Sequence, residues 1–442
     1  MMWLCIRLPQ LAHEALAGVA VAAFTARSRS SAPERALAIR REALERLAAW
    51  AYQWSSRVSY DPHEPLLWLE LGASCGLFEG LESLLARLRA ELVLLGYTHV
   101  CALAPSPTAA ALLTRADEPR HVRSRTELRQ RLESLPLHLL ALPVATLAAL
   151  RACGLRRIGQ VLELGATAIA RRFGPETQLY LQRLCAQTSD PRPAWRLPPT
   201  YGARCEFDGE VHTTSALLFP LRRMLLEFQG YLRARDCGVL RFTLEFEHHR
   251  RPVSRTIIGS SAPGRDAAQF LTLVRERLHS LALPAPVNAV RLQALEFTSP
   301  AIVQASLFGN DAQPLQELRQ LLDRLRARLG ESSVHALQPQ ADYRPERGSR
   351  LVALEAAPEP HAVEEPRAPE PAPPRPCWLL SQPLRIGAPA RLLRGPERIE
   401  SGWWDQGEVR RDYYLARSDE GAHWWVFRDR RDGVWYLQGL WA

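Results

Sequence analysis

The sequence lacks lysine altogether, and all 56 of its basic residues are arginine. We interpret this absence as a bias of the coding DNA and not as a feature of the chemistry. The sequence also lacks the CxxC pairs and the clustered histidines of a zinc site, because its 8 cysteines are scattered singly. Single cysteines of this kind are typical of a reducing cytoplasm, where they behave as small apolar residues.

Long apolar runs without charge are also missing, so the sequence predicts no membrane-spanning helix. The apolar stretch at 15–26 resembles the core of a signal peptide, but Pro9 and Glu14 interrupt the segment before it, so no signal peptide is expected. The chain of 442 residues is 47% hydrophobic and 23% charged, which is ordinary for a soluble globular protein of about three domains. Its formal net charge of +9 permits a polyanionic partner without proving one.

Apolar strands alternate with amphipathic helices in the first third of the chain. The pattern predicts strands at 1–8, 66–71 and 99–105 and helices at 33–56, 81–96 and 107–116. Alternation of this kind predicts a mixed α and β domain around a shared sheet.

A helix–hairpin–helix pattern follows within the helical segment 135–187. Two helical stretches meet around Gly154 and Gly159, with Arg156 and Arg157 between them. Glycines let a turn backbone approach a phosphate and arginines add charge, so these four residues are candidate DNA contacts. A plain helical hairpin with glycine caps would give the same pattern, and the residues alone do not decide between the two.

A second mixed domain is predicted at 201–308. Its pattern indicates two strands, a helix and a further strand, at 239–249, 250–259, 266–281 and 287–298. Such a domain leaves one face free to meet a ligand. The turn between the first two strands is basic, and Arg250, Arg251 and Arg255 are further candidate phosphate contacts.

The composition changes twice in the C-terminal part. A helical extension is predicted at 309–354, and the Pro-, Ala- and Glu-rich stretch 355–376 predicts an extended linker without a core. The last stretch, 377–442, is rich in tryptophan and indicates a small β-rich module. We expect about half of its tryptophans in the core and the others at a partner-binding surface. The candidate partner-binding residues are Trp403, Trp404, Trp424, Trp425 and Trp435.

The segment HEPLLWLELGAS (63–74) resembles the palm strand that carries catalytic carboxylates in the Y-family (DinB/UmuC-like) translesion DNA polymerases. Glu64-Pro65-Leu66 matches the start of that strand, but Leu69 stands at the family's aspartate position and only Glu70 is kept. The first strand carries another metal-binding aspartate in the family, and WLCIRLPQL has no acid here. Downstream, Ser106-Pro107 replaces the family's Asn-Lys.

This resemblance implies a polymerase fold that has lost its chemistry. Phosphoryl transfer by two metal ions needs several carboxylates that converge on ions about 4 Å apart, and one glutamate cannot hold them. We therefore predict no catalytic residue, no metal site and no cofactor, with Leu69 and Glu70 as the remnant of a degenerate polymerase site. The alternative is an active but divergent Y-family polymerase, and Leu69 argues against it.

Three segments resemble the ImuB-type, catalytically inactive Y-family homologues of bacterial inducible mutagenesis cassettes: WLCIRLPQL, LWLELGASCGLFEG (67–80) and the tryptophan-rich ending 398–442. Such proteins are thought to act as adaptors in SOS mutagenesis. The resemblance implies as partners the sliding clamp (β subunit), an error-prone replicative-type DNA polymerase, a RecA-like accessory protein of the ImuA type, and DNA. It also implies a cytoplasmic protein that is nucleoid-associated when it acts on DNA.

The same resemblance implies a multidomain α+β architecture. Its expected parts are a palm-like domain with reduced fingers (1–130), a helix–hairpin–helix thumb (131–200), a little-finger-like domain (201–308), the helical extension, the linker and the C-terminal module. The fingers are expected to be reduced because only AAFTARSRSSAPE (22–34) stands where the family has a nucleotide-contacting segment.

The peptide QASLFG (304–309) resembles the Q-x-[SD]-L-F ligands of bacterial sliding clamps. Leu307 and Phe308 would be adjacent apolar anchors for a groove, Gln304 would supply amide hydrogen bonds, and Ser306 completes the motif. The other interpretation is an edge strand whose leucine and phenylalanine complete a domain core. A DNA-binding protein without a clamp partner is a third possibility, and this peptide argues against it.

Overall fold

The computed structural model describes residues 1–16, 33–116, 121–299, 312–353 and 375–441. The chain divides into two units, Met1–Arg328 and Leu329–Ala442. No helix in the described part of the chain combines the length and the apolar composition needed to cross a membrane.

A four-stranded antiparallel sheet in the order β2-β3-β1-β4 organises the start of the first unit. Its strands are β1 (Trp3–Arg7), β2 (Val58–Asp61), β3 (Leu66–Glu70) and β4 (Val100–Ala104). The first helices are α1 (Leu11–Leu16), α2 (Pro33–Ala51), α3 (Leu81–Leu95) and α4 (Pro107–Leu113). Helices α2 and α3 cover one face of β1 and β3, and α4 covers the other. These two strands are almost entirely apolar because neither face meets water.

Five short helices continue the first unit. They are α5 (Arg125–Ser134), α6 (Val144–Ala152), α7 (Ile158–Glu163), α8 (Ala166–Phe173) and α9 (Pro175–Leu184). Their buried residues, among them Leu128, Leu150, Ile158 and Leu184, share one hydrophobic cluster with α4 and with the adjoining face of the first sheet. The helical segment is therefore packed directly on that sheet.

A second antiparallel sheet has the order β5-β8-β6-β7. Its strands are β5 (Tyr201–Val211), β6 (Val239–His248), β7 (Arg251–Gly264) and β8 (Val287–Ala294), and its helices are α10 (Thr214–Ala234) and α11 (Ala267–Ser280). The core between sheet and helices is aromatic, with the rings of Phe228, Phe242 and Phe270 within 5.8 Å of one another. The strand pair, helix and strand expected from the sequence are present, and β5 and α10 are additional.

Helix α10 packs closely on α2, which joins the two sheet domains of the first unit. A Cβ atom on Gly230 would lie 2.6 Å from Cδ1 of Trp50 and 2.9 Å from its Cα, so only glycine permits this approach. The fully buried Glu227 accepts hydrogen bonds from Nε of Arg46 at 3.1 Å and from the hydroxyl of Tyr97 at 3.1 Å. Burial, followed by the charge of Glu227, raises the pKa of Tyr97 to about 12, so its hydroxyl stays a donor.

Helix α12 (Ala312–Leu329) lies against the second sheet. The carboxylate of Asp323 accepts hydrogen bonds from the amide of Ser261 at 2.9 Å and from the hydroxyls of Ser260 and Ser261 at 3.2 Å. The next residue, Arg324, forms an ion pair with Glu276 of α11 at 3.2 Å. The helix is thus fixed to β7 and α11 by polar contacts.

The second unit consists of a hairpin and a five-stranded antiparallel sheet in the order β11-β15-β14-β13-β12. The hairpin strands are β9 (His335–Pro339) and β10 (Ser349–Ala353). The sheet strands are β11 (Trp378–Ile386), β12 (Arg391–Ser401), β13 (Val409–Arg417), β14 (His423–Asp429) and β15 (Trp435–Leu440). The hairpin contacts the sheet through Glu346, which accepts from Arg411 at 3.0 Å and from Gln438 at 3.2 Å.

This arrangement differs from the expected helical extension at 309–354, which is helical only over α12 and then forms the hairpin. Local sequence does not indicate the hairpin, because Glu346 in its loop is held by strands that follow more than fifty residues later. The expected linker 355–376 lies outside the described residues apart from its last two positions. Because β10 and β11 belong to the same unit, this segment connects two parts of one unit.

Candidate functional site

The expected remnant of a polymerase site lies on β3, at the centre of the first sheet. Leu69 pairs with Leu4 of β1 and Val58 of β2 and is fully buried in the cluster formed with α2 and α3. Its side chain is therefore an ordinary core residue. No ligand atom is available at the position where the family has an aspartate.

The carboxylate of Glu70 is occupied by the main chain. Its Oε1 atom accepts hydrogen bonds from the amides of Met2 and Gly72, each at 3.1 Å, and the side chain is buried. The amide of Glu70 donates to the carbonyl of Arg57, and its own carbonyl accepts from the hydroxyl of Ser55 at 2.6 Å. This residue fastens the end of β3 to the chain terminus, which is a structural role.

Strand β1 offers no carboxylate, and its only other potential metal ligand is Cys5. That thiol is fully buried, and burial raises its pKa far above the usual range, so it is not a thiolate ligand. No three His, Cys, Asp or Glu side chains come together as a possible metal site among the residues that the structure describes. The residues on β1 and β3 therefore do not fit a pair of catalytic metal ions.

The second face of β3 is filled by Trp68. Its indole Nε1 donates to the carbonyl of Pro107 at 3.0 Å, and the guanidinium of Arg192 lies 4.7 Å from the ring centroid. Arg192 also donates to the hydroxyl of Thr108 at 2.9 Å. The cation–π contact and these hydrogen bonds fix Trp68 and Arg192, which line an open cavity on this face of the sheet together with acidic side chains. Sequence reasoning did not single out Trp68 or Arg192.

Ser106-Pro107, which replaces the family's Asn-Lys, begins α4. The buried hydroxyl of Ser106 accepts from the amide of Ala109 at 3.1 Å, and Pro107 occupies the first turn. This is an N-terminal cap of a helix, and both residue types are favoured there. The segment has a local structural reason for its sequence that does not involve a nucleotide.

The turn that the sequence predicts between two helical stretches lies between α6 and α7. Gly154 has a φ of 82°, which favours glycine, and the side chains of Arg156 and Arg157 are exposed. The amides of these two arginines donate to Oε1 of Gln160 at 2.8 and 3.0 Å. A phosphate would have to displace that side chain to reach the turn amides. The guanidinium of Arg156 also donates to the carbonyls of Arg151 at 3.0 Å and Leu155 at 3.3 Å.

Gly159 has a packing role that is separate from the turn. A Cβ atom at this position would lie 2.9 Å from Cα and 3.0 Å from the carbonyl oxygen of Glu133 in α5. The glycine lets α7 approach α5, and it does not line the exposed surface. Its candidate role as a phosphate contact gains no support from this position.

The turn between β6 and β7 contains Arg250, and Arg251 begins β7; both side chains are exposed. His248, beside them, is buried and bonds to the carbonyl of Pro286 and the hydroxyl of Ser254. Arg250 has a φ of 55°, so the turn presents its side chain from a left-handed backbone. The turn lies in a different element from Arg156 and Arg157, and the first unit thus carries two separate basic turns.

Arg255 belongs to the open face of the second sheet and is paired there. Its Nε lies 2.8 Å from Oε1 of Glu245, and Glu245 also faces Arg291 at 4.0 Å. Arg204 of the edge strand β5 donates to Glu247 of β6 at 2.9 and 2.8 Å, and this pairing lowers the pKa of Glu247. Acids within the sheet therefore neutralise most of the arginine charge that DNA would require on this face.

The candidate partner-binding tryptophans separate into two groups. Trp403 and Trp404 are 77% and 56% exposed on the turn after β12, and their rings meet edge to face at 5.5 Å. Trp425 is 4% exposed and stacks on Tyr413 with ring centroids 4.4 Å apart. Trp424 and Trp435 are half-buried and pack against a small core of the module. Of the five, only the first two stand clear of the sheet.

The clamp-like peptide, with Gln304, Ser306, Leu307 and Phe308, lies outside the described residues. Its flanks are described: β8 ends at Ala294, and α12 begins at Ala312. The reduced fingers segment at 22–34 also lies outside them, apart from its last two residues, which begin α2.

No protein-family model matches the chain. The chain is similar to Protein ImuB of Caulobacter vibrioides, in strains NA1000 / CB15N and ATCC 19089 / CIP 103742 / CB 15. It is 28% identical to each over 435 residues, which covers 90% of this chain and 93% of the relative. The similarity to ImuB that the sequence motifs indicated is thus confirmed along nearly the whole chain.

Among solved structures, the chain is similar to a DinB family error-prone DNA polymerase from Sulfolobus solfataricus, at a TM-score of 0.34 and 14% identity. That match covers 68% of this chain and 100% of the other. A second match, to the insertion ternary complex of Dbh DNA polymerase, has a TM-score of 0.33 and 13% identity and covers 66% and 98%.

Proposed function

We propose that this chain is a non-catalytic adaptor in damage-induced, error-prone translesion DNA synthesis. It would link the sliding clamp to a mutagenic replicative-type polymerase and a RecA-like accessory protein. Similarity to ImuB over 90% of the chain supports a role in such a mutagenesis cassette. The observation that carries the non-catalytic part is the position of Glu70, whose carboxylate binds two main-chain amides.

Catalysis by this palm-like sheet would require several converging carboxylates on β1 and β3, and these two strands do not present them. Leu69 is buried on the face of the sheet that α2 and α3 cover, and β1 carries no acid. The carboxylate of Glu70 already accepts a hydrogen bond from the amide of Met2. Two-metal phosphoryl transfer depends on several converging oxygen ligands. A strand that has kept its place in the sheet and exchanged ligands for core residues suits a scaffold better than an enzyme.

Three surfaces would serve the adaptor. The peptide 304–308 would bind the clamp, with Leu307 and Phe308 as anchors. The two basic turns, at Arg156–Arg157 and Arg250–Arg251, would contact DNA phosphates without reading sequence. The exposed pair Trp403–Trp404 would bind a partner protein, because exposed tryptophans are favoured interface anchors.

Primer extension tests the absence of catalysis. The purified chain, on a primed template with Mg²⁺ or Mn²⁺, should add no nucleotide, while an active Y-family polymerase at the same concentration extends the primer. The matched variant is Glu70→Gln, which keeps an acceptor oxygen for the two amides and removes the charge. Templated incorporation by the wild type that is lost in Glu70→Gln would overturn the proposal in favour of a divergent polymerase.

A clamp pull-down tests the adaptor part. The wild-type chain should retain purified clamp, and a variant without residues 304–308 should not. Retention of the clamp by both proteins would remove this peptide from the proposed function.

A further inference from the structure

An open cavity of about 330 Å³ lies where the first sheet meets the helical segment. Its walls come from β2 and β3, from α4 and α9, and from the segment that follows α9. The volume is at the lower end of the range of small-molecule sites, so the cavity suits a small ligand. We call it the arginine cavity, because its walls include Arg115, Arg183 and Arg192.

Three arginines on this face of the sheet each keep a buried nitrogen without a partner. The Nε atoms of Arg7, Arg183 and Arg192 are shielded from solvent and bond to no atom of the described residues. Arg7 is the register partner of Leu66, which belongs to the cavity wall, and it lies on the same face of β1 as Cys5. A buried N–H group that finds no acceptor in the protein calls for one from elsewhere, such as a bound anion.

The other contacts of the arginines hold them in place. Nη2 of Arg192 donates to the hydroxyl of Thr108 at 2.9 Å, and its guanidinium lies 4.7 Å from the ring centroid of Trp68. Arg115 forms an ion pair with Glu64 and is therefore committed. Arg192 is thus positioned on the wall while its Nε remains available.

Two hydroxyl groups of the wall each keep a hydrogen to donate. The hydroxyl of Tyr180 accepts from the amide of Ala141 at 3.0 Å, and burial raises the pKa of Tyr180, so the phenol stays protonated. The hydroxyl of Thr108 accepts from Arg192 in the same way. A hydroxyl group that accepts a hydrogen bond can still donate its own hydrogen, and both groups can therefore serve an acceptor in the cavity.

The three carboxylates of the wall are engaged by donors of the protein. Asp190 accepts from the amide of Thr108 at 2.9 Å and lies 3.7 Å from Arg192. Asp61 accepts from the main-chain amide two residues later at 2.8 Å, and Glu64 is the partner of an arginine already described. The four guanidinium groups described above exceed these carboxylates by one positive charge, so the balance of charge favours an anion over a cation.

We propose that the arginine cavity binds a small oxyanion of the phosphate type without the help of a metal ion. Arg183 and Arg192 donate to it through Nε, Arg7 adds a third guanidinium, and the two hydroxyl groups complete the set of donors. Guanidinium groups bind phosphate oxygens through strong, charge-assisted hydrogen bonds. The site goes beyond the adaptor function and does not depend on it.

The test titrates the full-length protein with inorganic phosphate and with pyrophosphate in buffer freed of divalent metal ions, at constant ionic strength. Calorimetry should show binding of both, tighter for the more highly charged pyrophosphate. The midpoint of thermal unfolding should rise with the concentration of either anion, because a ligand held only by the folded chain stabilises it. Arg183→Gln should weaken binding about tenfold, since it removes charge-assisted hydrogen bonds.

Two further variants sharpen the test. Tyr180→Phe keeps the ring and removes the hydroxyl donor, so it should weaken binding by a smaller factor than the loss of a guanidinium. The matched control is Arg171→Gln, because Arg171 is exposed on α8, lies outside the cavity wall and loses the same charge. This control should bind both anions like the wild type.

Four outcomes would overturn the proposal. The first two are a wild type that binds neither anion, and equal affinities in the wild type, Arg183→Gln and Tyr180→Phe. The third is binding that appears only with Mg²⁺, which would indicate a metal site and would also count against the non-catalytic function. The fourth is displacement of pyrophosphate by a single-stranded oligonucleotide with a 5′-hydroxyl end, which would assign the arginines to backbone phosphates of nucleic acid. Loss of the anion site alone leaves clamp retention, the test of the adaptor function, unaffected.

Discussion

Replacing Glu227 by glutamine should destabilise the first unit strongly, because it breaks the buried ion pair between its two sheet domains. Glu227 is fully buried, and Arg46 opposite is 9% exposed, with 3.1 Å between Oε2 and Nε. Glutamine keeps an acceptor for the hydroxyl of Tyr97 but leaves the charge of Arg46 without its buried partner. That charge is held in place by the surrounding helices and cannot reach water easily.

The expected loss in the free energy of unfolding depends on the contacts that Arg46 keeps in the variant. Removal of one partner from a buried ion pair costs about 3–5 kcal/mol, because the remaining charge is uncompensated. Arg46 still donates to the carbonyl of Arg204 at 2.9 Å and lies 3.5 Å from Glu42. The free energy of unfolding should therefore fall by about 3 kcal/mol, at the lower end of that range.

Two variants provide controls. Glu42→Gln removes the other carboxylate near Arg46, but Glu42 is half-exposed, so the loss should be under about 0.5 kcal/mol. Replacement of both Arg46 and Glu227 by hydrophobic residues of similar size should restore stability to within about 1 kcal/mol of the wild type. Equilibrium urea unfolding of the full chain measures all three proteins. A loss of less than about 1 kcal/mol for Glu227→Gln would refute the claim that this pair fastens the two domains together.

The remaining predictions concern the clamp, DNA and helix packing. Leu307→Ala with Phe308→Ala should weaken clamp binding more than tenfold, since each anchor is worth ~2 kcal/mol, and an unchanged affinity would return the peptide to the domain core. Arg157→Gln should lower the salt slope of DNA binding by ~1, whereas Arg255→Gln should lower it less because its partner carboxylate already neutralises it; equal effects would contradict this ranking. Gly159→Ala should cost about 1–3 kcal/mol in unfolding experiments, and a neutral result would show that α7 can move away from α5.

Local pattern was sufficient for most elements of the first unit. The apolar run after Pro65 predicted a strand at 66–71, and β3 spans Leu66–Glu70; the leucine-rich stretch at 81–96 is helix α3. The apolar residues of these segments are either continuous, as in a buried strand, or spaced with helical periodicity. The sequence alone therefore predicts both elements. Helix α10 was not predicted, because Gly230 and the charged Glu227 both stand on its buried face. Each is explained only by its partner in α2, which no local pattern contains.

The candidate site divides in the same way. The sequence itself shows leucine at position 69, where the Y-family strand it resembles has aspartate. The burial of Leu69 in the core explains why an apolar residue stands there. The role of Glu70 was not predictable, since its distant partner Met2 meets it only when β1 and β3 pair, although its other partner, Gly72, is local. The hairpin is a similar case, because Arg344 has a solvated, polar sequence around it and finds Asp405 only across 61 residues. Long-range polar contacts are the part of this structure that the sequence did not reveal.

Damage-induced mutagenesis in cells tests the central claim most directly. The host lacking its own copy would carry the wild-type chain, the Glu70→Gln variant or the variant without residues 304–308, each at equal abundance, and mutation frequency after DNA damage would be measured. If the chain is an adaptor, Glu70→Gln should support mutagenesis at the wild-type level, and the deletion variant should fall to the level of the empty host. Loss of mutagenesis in Glu70→Gln, with its abundance and clamp binding intact, would contradict the account, because a carboxylate needed only for structure is replaced there by an equivalent acceptor.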